Sequence, residues 1–292
     1  MSDAATRPVH IVTDSTADIP PELLGGRPLT VVPLIVEIAG RSYRDGVELS
    51  RADFLAALRQ GHLPRTSQPP IGAFQQVYQD LIARGYDVVA VHIAARLSGT
   101  YNASRAAAEA VAPERIRLID TNTVSMGVGW IALETADLAR AGQPREAIAA
   151  HAAQRTADQR LYAVLDTLEY LQRGGRIGRA AALLGSALQL KPILEVRHGA
   201  VEPLERVRTM RRALDRLSAL VAAQCPWDCA AVLHLDAEAA AQEVAARLRA
   251  AQPDLEVVVG QIGTVVGTYG GPGLVGVAGL VHPLAAAPGA PA

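Results

Sequence analysis

Asp87-Val-Val-Ala-Val-His-Ile-Ala-Ala-Arg-Leu-Ser-Gly-Thr-Tyr-Asn-Ala-Ser-Arg-Ala-Ala107 is the stretch whose reading decides the fold. Val88 to Ile93 is a β-branched apolar run of the kind that forms a strand buried on both faces, and the alanine-rich run from Asn102 onward is helix-forming. Leu97-Ser98-Gly99-Thr100 joins the two. A short Ser-Gly-Thr turn from strand to helix leaves the first backbone N–H groups of the helix unpaired beside two hydroxyls. Ser98 at such a junction either caps the helix or helps to seat an anion on the helix N-terminus.

Outward from this stretch, the order strand, polar turn, helix repeats. His10 to Thr13 is a strand ending in Asp14-Ser15-Thr16, polar residues at a strand's carboxyl end, where open α/β sheets place ligands. Thr30 to Ile38 reads as a second, strongly apolar strand, and Ser50-x-x-Asp53 opens a helix with a capping-box-like pattern. Pro64-Arg65-Thr66-Ser67-Gln68-Pro69-Pro70 is a stiff polar loop leading into the helical pattern Phe74, Val77, Tyr78, Leu81, Ile82. Arg115 to Asp120 is a strand, Thr121 to Ser125 a polar turn, and Trp130 to Ala139 lies on a helix; Pro144 to Ala157 is a further helix. This repetition predicts a parallel sheet with helices on both faces, a three-layer N-terminal domain over 1–158.

The second half, 159–285, reads as another α/β domain. Leu161 to Leu165 is a strand, Gly174-Gly175 a helix C-cap and turn, and Leu183 to Leu190 a helix. Pro192 to Val196, His198-Gly199 and Val201 form a hairpin, so this sheet is mixed. Arg208 to Ala223 is an amphipathic helix with a basic start at Arg208, Arg211 and Arg212. Cys229 to Leu235, Ala237 to Ala250 and Leu255 to Ile262 add strand, helix and strand. Gly271, Gly273 and Gly276 satisfy G-x-G-x-x-G, but Val277 to Val281 reads as strand and no acidic residue follows at the ribose-binding distance, which rejects a dinucleotide site. Such glycines let the backbone approach a ligand or the other domain. The tail over 286–292 reads as disordered.

Composition narrows the function. The 292 residues are half apolar and only 4% aromatic, so a cavity would be lined by aliphatic side chains, which suits an alkyl chain. A net charge of −1 with scattered basic residues lacks the footprint of a nucleic-acid binder. Cys225 and Cys229 have no second pair to complete a zinc site and read as reduced thiols, so no metal or other cofactor is expected. The N-terminus lacks an apolar signal core, and apolar runs stop well short of the ~20 residues of a membrane span. A cytoplasmic protein without an integral membrane segment is expected.

Taken together and in order, these blocks resemble the DegV family of bacterial fatty-acid-binding proteins over nearly the whole chain. The matching residues are Val12 to Thr16, Thr66-Ser67-Gln68-Pro69, Leu97 to Tyr101, Asp120 with Ser125-x-Gly127-x-Gly129, Leu168 to Leu171 with Gly174 to Ile177, Lys191 to Leu194, and Gly271-Pro272-Gly273. The resemblance implies two α/β domains holding one long-chain fatty acid between them, its carboxylate bound by Thr66 and Ser98 with Gly99 in the same loop. It further implies that some members present the acid to a separate fatty acid kinase for phospholipid synthesis, the protein being a carrier and not a catalyst. Physical chemistry agrees with that division, because the headgroup needs hydroxyl and amide donors while the chain needs only dry apolar surface, worth ~0.8 kcal/mol for each buried CH₂.

Two departures stand out. Relatives carry a His in G-T-H-T-G-P-G where this chain has Tyr269, a phenol that can donate one hydrogen bond but carries no positive charge at neutral pH. The resemblance assigns kinase coupling to that His and to an Arg matched here by Arg208, so the change bears more on the kinase partnership than on lipid binding. Ala94-Ala95 replaces serines common in relatives, which makes the headgroup region less polar. Two competing readings are a serine hydrolase acting on acyl esters through Ser98, with His92 or His282 as base, and a kinase-like domain related to dihydroxyacetone-binding proteins. The first lacks the glycines of a G-x-S-x-G elbow, since Arg96 and Thr100 stand in their places, and the second needs a substrate-linking His.

Overall fold

The computed structural model describes residues 7–183 and 190–283. In chain order the first half runs β1 (Val9–Asp14), a 3-10 turn (Ser15–Ala17), α1 (Pro21–Leu24), β2 (Leu29–Val32), β3 (Ile35–Ile38), β4 (Arg41–Arg44), α2 (Arg51–Arg59), β5 (Arg65–Ser67), α3 (Ile71–Ala83), β6 (Asp87–His92), α4 (Thr100–Val111), β7 (Ile116–Asp120), α5 (Met126–Arg140) and α6 (Arg145–Asp158). The second half runs β8 (Gln159–Val164), α7 (Glu169–Arg173), a 3-10 segment (Gly178–Leu183), β9 (Lys191–Arg197), β10 (Ala200–Val207), α8 (Met210–Ala222), β11 (Trp227–His234), α9 (Glu238–Ala251), β12 (Val257–Gln261), α10 (Thr264–Gly270) and β13 (Val275–Val281). Of the helix expected over Leu183 to Leu190, residues 184–189 lie outside the described residues, as does the tail over 286–292.

Strands β2-β1-β6-β7 form a wholly parallel sheet. The buried run of β6 divides between two cores, as a strand covered on both faces must. Val88 and Ala90 pack with Phe74, Tyr78 and Ala103 from α3 and α4, while Val89 and Val91 pack with Val128, Ile131 and Ile148 from α5 and α6. The result is the expected three-layer arrangement.

The six-stranded sheet, β10-β9-β8-β13-β11-β12, is mixed, with β11 and β12 parallel and the other neighbours antiparallel. Alternation along β8 sends Tyr162 and Val164 toward α8 and α9, and Leu161 and Leu165 toward a separate core shared with Leu34 and Phe54 of the first half. That shared core lies between the two halves. Arg155, 5% exposed, ties them further: it donates to Glu134 at 3.0 and 3.1 Å, Asp158 at 2.9 Å and Asp228 at 2.8 Å.

Two expectations need correction. The apolar run Thr30 to Ile38 is not one strand: it breaks at Pro33-Leu34, and β2 joins the parallel sheet while β3 joins a small antiparallel sheet of order β4-β3-β5. Pro33 has no N–H to continue a ladder. The Leu34 backbone instead turns inward, its N–H donating to Ser15 Oγ at 3.1 Å and its carbonyl accepting from Asp45 N at 2.9 Å. The Thr66 segment, read as a loop, is strand β5, with Thr66 opposite Val36 of β3.

Candidate functional site

The small antiparallel sheet, the carboxyl end of β6 and helix α10 meet at the mouth of a cavity between the two large sheets. The cavity encloses about 910 Å³, counting space open to solvent at its mouth. Its body is aliphatic, with Leu34, Leu161, Leu165, Leu194, Val196 and Leu274 among its lining residues. Thr66, Ser98 and Tyr269 line it as well, all half-buried, and Arg176 and Glu195 are the charged residues among the described lining.

Thr66 and Tyr269 share a hydrogen bond of 2.6 Å between Oγ1 and the phenol oxygen. Whichever of the two accepts keeps its own proton free to donate elsewhere. Ser98 Oγ accepts from Thr100 N at 3.3 Å and lies 2.9 Å from Thr100 Oγ1. It therefore supports the start of α4, and with Thr100 Oγ1 as donor in their shared bond its own proton faces the cavity, so the capping and ligand readings of this serine are compatible. Gly99 does not line the cavity; it packs on the Gln68 side chain, where a Cβ would approach to 3.1 Å.

The guanidinium beside Tyr269 belongs to Arg176, a residue whose role the spacing did not reveal. Its Cζ sits 5.2 Å from the Tyr269 ring centroid, Nε donates to Leu97 O at 3.2 Å, and Nη1 donates to Gly174 O at 3.0 Å. A guanidinium supplies the positive charge that a phenol lacks. Gly174 is part of the same construction: a Cβ there would fall 2.4 Å from the tyrosine ring. The double glycine thus does more than end a helix, since Gly175 takes the turn at φ +68° while Gly174 makes room for Tyr269. Arg208 is exposed, one residue before the Thr209 N-cap of α8, and is not among the lining residues.

Behind the mouth runs a buried polar chain. Asp14 Oδ1 accepts from Thr16 N at 3.1 Å, while Oδ2 accepts from Ile93 N at 3.2 Å and lies 2.9 Å from His92 Nδ1. His92 Nε2 is 2.8 Å from Ser104 Oγ, which in turn meets Tyr78 OH. Burial pushes the Tyr78 phenol above its ordinary range. Thr16 and Ile93 both line the cavity, so this chain fixes its wall. Both ring nitrogens of His92 are engaged in it, and His282 pairs with Asp228 at 2.8 Å. No His is among the described lining residues.

At the other end of α10, Asp18 and Asp45 meet its first residues. Asp18 Oδ1 accepts from Gly263 N at 2.9 Å and Oδ2 from Ser125 Oγ at 2.6 Å. Asp45 Oδ1 accepts from Thr264 N at 3.2 Å and Thr264 Oγ1 at 2.6 Å. Burial pushes the Asp18 carboxyl up to about 7, against the lowering effect of its hydrogen bonds from Ser125 and Gly263.

These features define a class: a two-sheet α/β protein with an aliphatic cavity between its sheets, lined also by hydroxyls and by the side chains of Arg176 and Glu195. The chain belongs to the DegV family, whose model, described as that of an uncharacterised protein, matches residues 8–281. A DegV domain-containing protein of Streptomyces coelicolor is 40% identical over 277 residues, 93% of this chain and 98% of that one. Among solved structures, one described as fatty acid binding of a DegV family protein from Thermus thermophilus has a TM-score of 0.88 at 34% identity, covering 94% of this chain and 100% of that chain. DegV of Bacillus subtilis, described as a fatty acid binding protein, has a TM-score of 0.85 at 32% identity, with 95% and 100% covered. No helix among the described residues is long and apolar enough to cross a membrane.

Proposed function

We propose that this protein binds one long-chain fatty acid in the cavity between its two halves and acts as a cytoplasmic carrier with no chemistry of its own. The acyl chain lies along the aliphatic body, with 1–158 supplying the headgroup loops and 159–285 closing over the chain. Thr66 and Ser98 donate to the carboxylate, Tyr269 donates to Thr66 Oγ1 and so leaves the threonine proton free for the ligand, and Arg176 supplies the nearby positive charge. The observation that carries this reading is an aliphatic cavity whose lining also holds the hydroxyls of Thr66, Ser98 and Tyr269 and the Arg176 guanidinium, with Glu195 the one carboxylate among the described lining. The described Thermus and Bacillus relatives, both named as fatty acid binders, support it.

A separate fatty acid kinase is the proposed partner, and its product would feed phospholipid synthesis. Exposed Arg208 is the proposed contact for it, whereas Tyr269 in place of the family's His leaves the reacting carboxylate with less cationic help. The hydrolase and dihydroxyacetone-type readings gain no support, since each needs a His at the cavity and none lines it among the described residues. Competition against a fluorescent fatty acid tests the proposal: a C16–C18 carboxylic acid displaces the probe at far lower concentration than the primary alcohol of equal length. Equal potency of acid and alcohol would reject the carboxylate assignment.

A further inference from the structure

We propose that Asp18 and Asp45 are positioning residues for Tyr269, setting the headgroup end of the cavity by clamping the first turn of α10 to the N-terminal half. This inference rests on the fatty acid reading above for what the mouth binds, but not for how the phenol is placed. Tyr269 lies in a seven-residue helix that contributes few ladder bonds of its own, so its position depends on what holds its ends. At its start, Gly263 N–H and Thr264 N–H are two of the donors that a helix N-terminus leaves without intrahelical partners. Both are taken by carboxylates from the other half of the chain, Gly263 by Asp18 and Thr264 by Asp45, and Thr264 adds its hydroxyl to Asp45.

Each carboxylate is tied to the cavity wall. Asp18 directly follows the 3-10 turn that carries Thr16, and Asp45 N donates to the carbonyl of Leu34; Thr16 and Leu34 both line the cavity. The clamp is built under strain, which is the second observation. Asp18 is left-handed at φ 49°, and its partner Ser125 stands at φ 56° and ψ −146°, a region that side chains avoid. The Ser125–Asp18 hydrogen bond holds the two together. The third is fit: a Cβ on Gly263 would lie 2.7 Å from Asp18 Oδ1, so the backbone must approach the carboxylate as glycine. From this anchor the helix delivers the Tyr269 phenol to Thr66 on a different sheet.

The experiment labels the protein with 3-fluorotyrosine and reads the ¹⁹F resonance of position 269, assigned by its loss in Tyr269→Phe, beside fatty acid affinity. Asp18→Ala and Gly263→Ala are expected to shift or broaden that resonance and to weaken binding about fivefold, the consequence of one misplaced neutral hydrogen bond. Asp18→Asn keeps an acceptor for Gly263 and tolerates the left-handed backbone, so it restores most of what Asp18→Ala loses. In the Tyr269→Phe background, Asp18→Ala should add less than twofold. An unmoved resonance in both Asp18→Ala and Gly263→Ala would overturn the proposal, as would a full additional loss on top of Tyr269→Phe. Should the wild-type protein bind no fatty acid, the functional reading fails while the resonance still tests the clamp. Gly263→Ala leaves every carboxylate in place, so a poorly folding Asp18→Ala does not remove the test.

Discussion

Thr66 and Tyr269, 203 positions apart, meet through a single 2.6 Å hydrogen bond that joins the small antiparallel sheet of the first half to helix α10 of the second. The mouth therefore presents hydroxyls contributed by both halves, and binding there is expected to report on how they are held together.

Thr66→Ala and Ser98→Ala are each expected to weaken fatty acid binding by about 1.5 to 3 kcal/mol, the usual value of a hydrogen bond to a charged group, with the fold unchanged. Both donors serve one carboxylate, so the double variant loses less than the sum. Titration calorimetry checks this, and an unchanged affinity in the double variant would put the carboxylate elsewhere.

Tyr269→Phe removes only the hydroxyl and should cost about 1 kcal/mol of binding. Tyr269→His retains a donor and should bind as the natural protein does. With a fatty acid kinase present, Tyr269→His is expected to speed acyl-phosphate formation, because a cationic group stabilises charge developing at the carboxylate better than a phenol does. Arg208→Ala is expected to slow the same assay without releasing lipid. Faster phosphorylation with Tyr than with His would contradict the view of Tyr269 as a weakened coupling residue.

Gly174→Ala should lower affinity at least as much as Tyr269→Phe, since the new methyl would occupy the space of the tyrosine ring. A variant crystal structure with the ring in its original place and unaltered binding would show that the contact is irrelevant to the headgroup.

How much of this was legible before the structure divides by range of interaction. The parallel sheet showed in the strand-turn-helix repeats because each is local, and Thr66 and Ser98, which line the cavity, stood out because they sit in short polar segments between strong apolar patterns. What sets those residues in place is nonlocal. Thr66 looked like loop because its strand partner, Val36, lies far upstream inside a run whose apolarity does not say which sheet each part joins; only Pro33 marked the break. Arg176 was hidden behind Gly174-Gly175, since a helix-ending turn explains Gly175 completely and leaves no reason to ask about Gly174. Asp18 and Asp45 could not be paired with Gly263 and Thr264 without the fold.

Asp18 predicts a pH dependence of stability. Its folded-state value is raised from 3.8 to about 7, so the native state holds a proton that the unfolded chain releases. The contribution of this group to stability is therefore greatest below about pH 4, falls as pH rises toward 7 with a limiting slope of about 1.4 kcal/mol per unit, and levels above it. Asp18→Asn, neutral at every pH, should flatten that part of the profile in thermal melts. A profile identical to wild type would remove Asp18 as its source.

Arg155→Met should destabilise by about 1 to 3 kcal/mol, because it leaves the carboxylates of Glu134, Asp158 and Asp228 without their shared cation; this is less than for a fully buried pair, since Glu134 and Asp228 are partly exposed to solvent. Chemical denaturation measures it, and a loss below about 1 kcal/mol would show that this network behaves like an exposed surface pair.

The central claim is that the cavity holds one fatty acid, and native mass spectrometry of the protein from its producing cells, followed by lipid extraction, tests it most directly. The account predicts a single adduct whose mass matches one long-chain fatty acid, recovered as the free acid on denaturation and largely lost in Thr66→Ala/Ser98→Ala. Protein carrying no lipid that also takes up none when incubated with C16–C18 acids, or an extracted ligand without a carboxyl group, would contradict it.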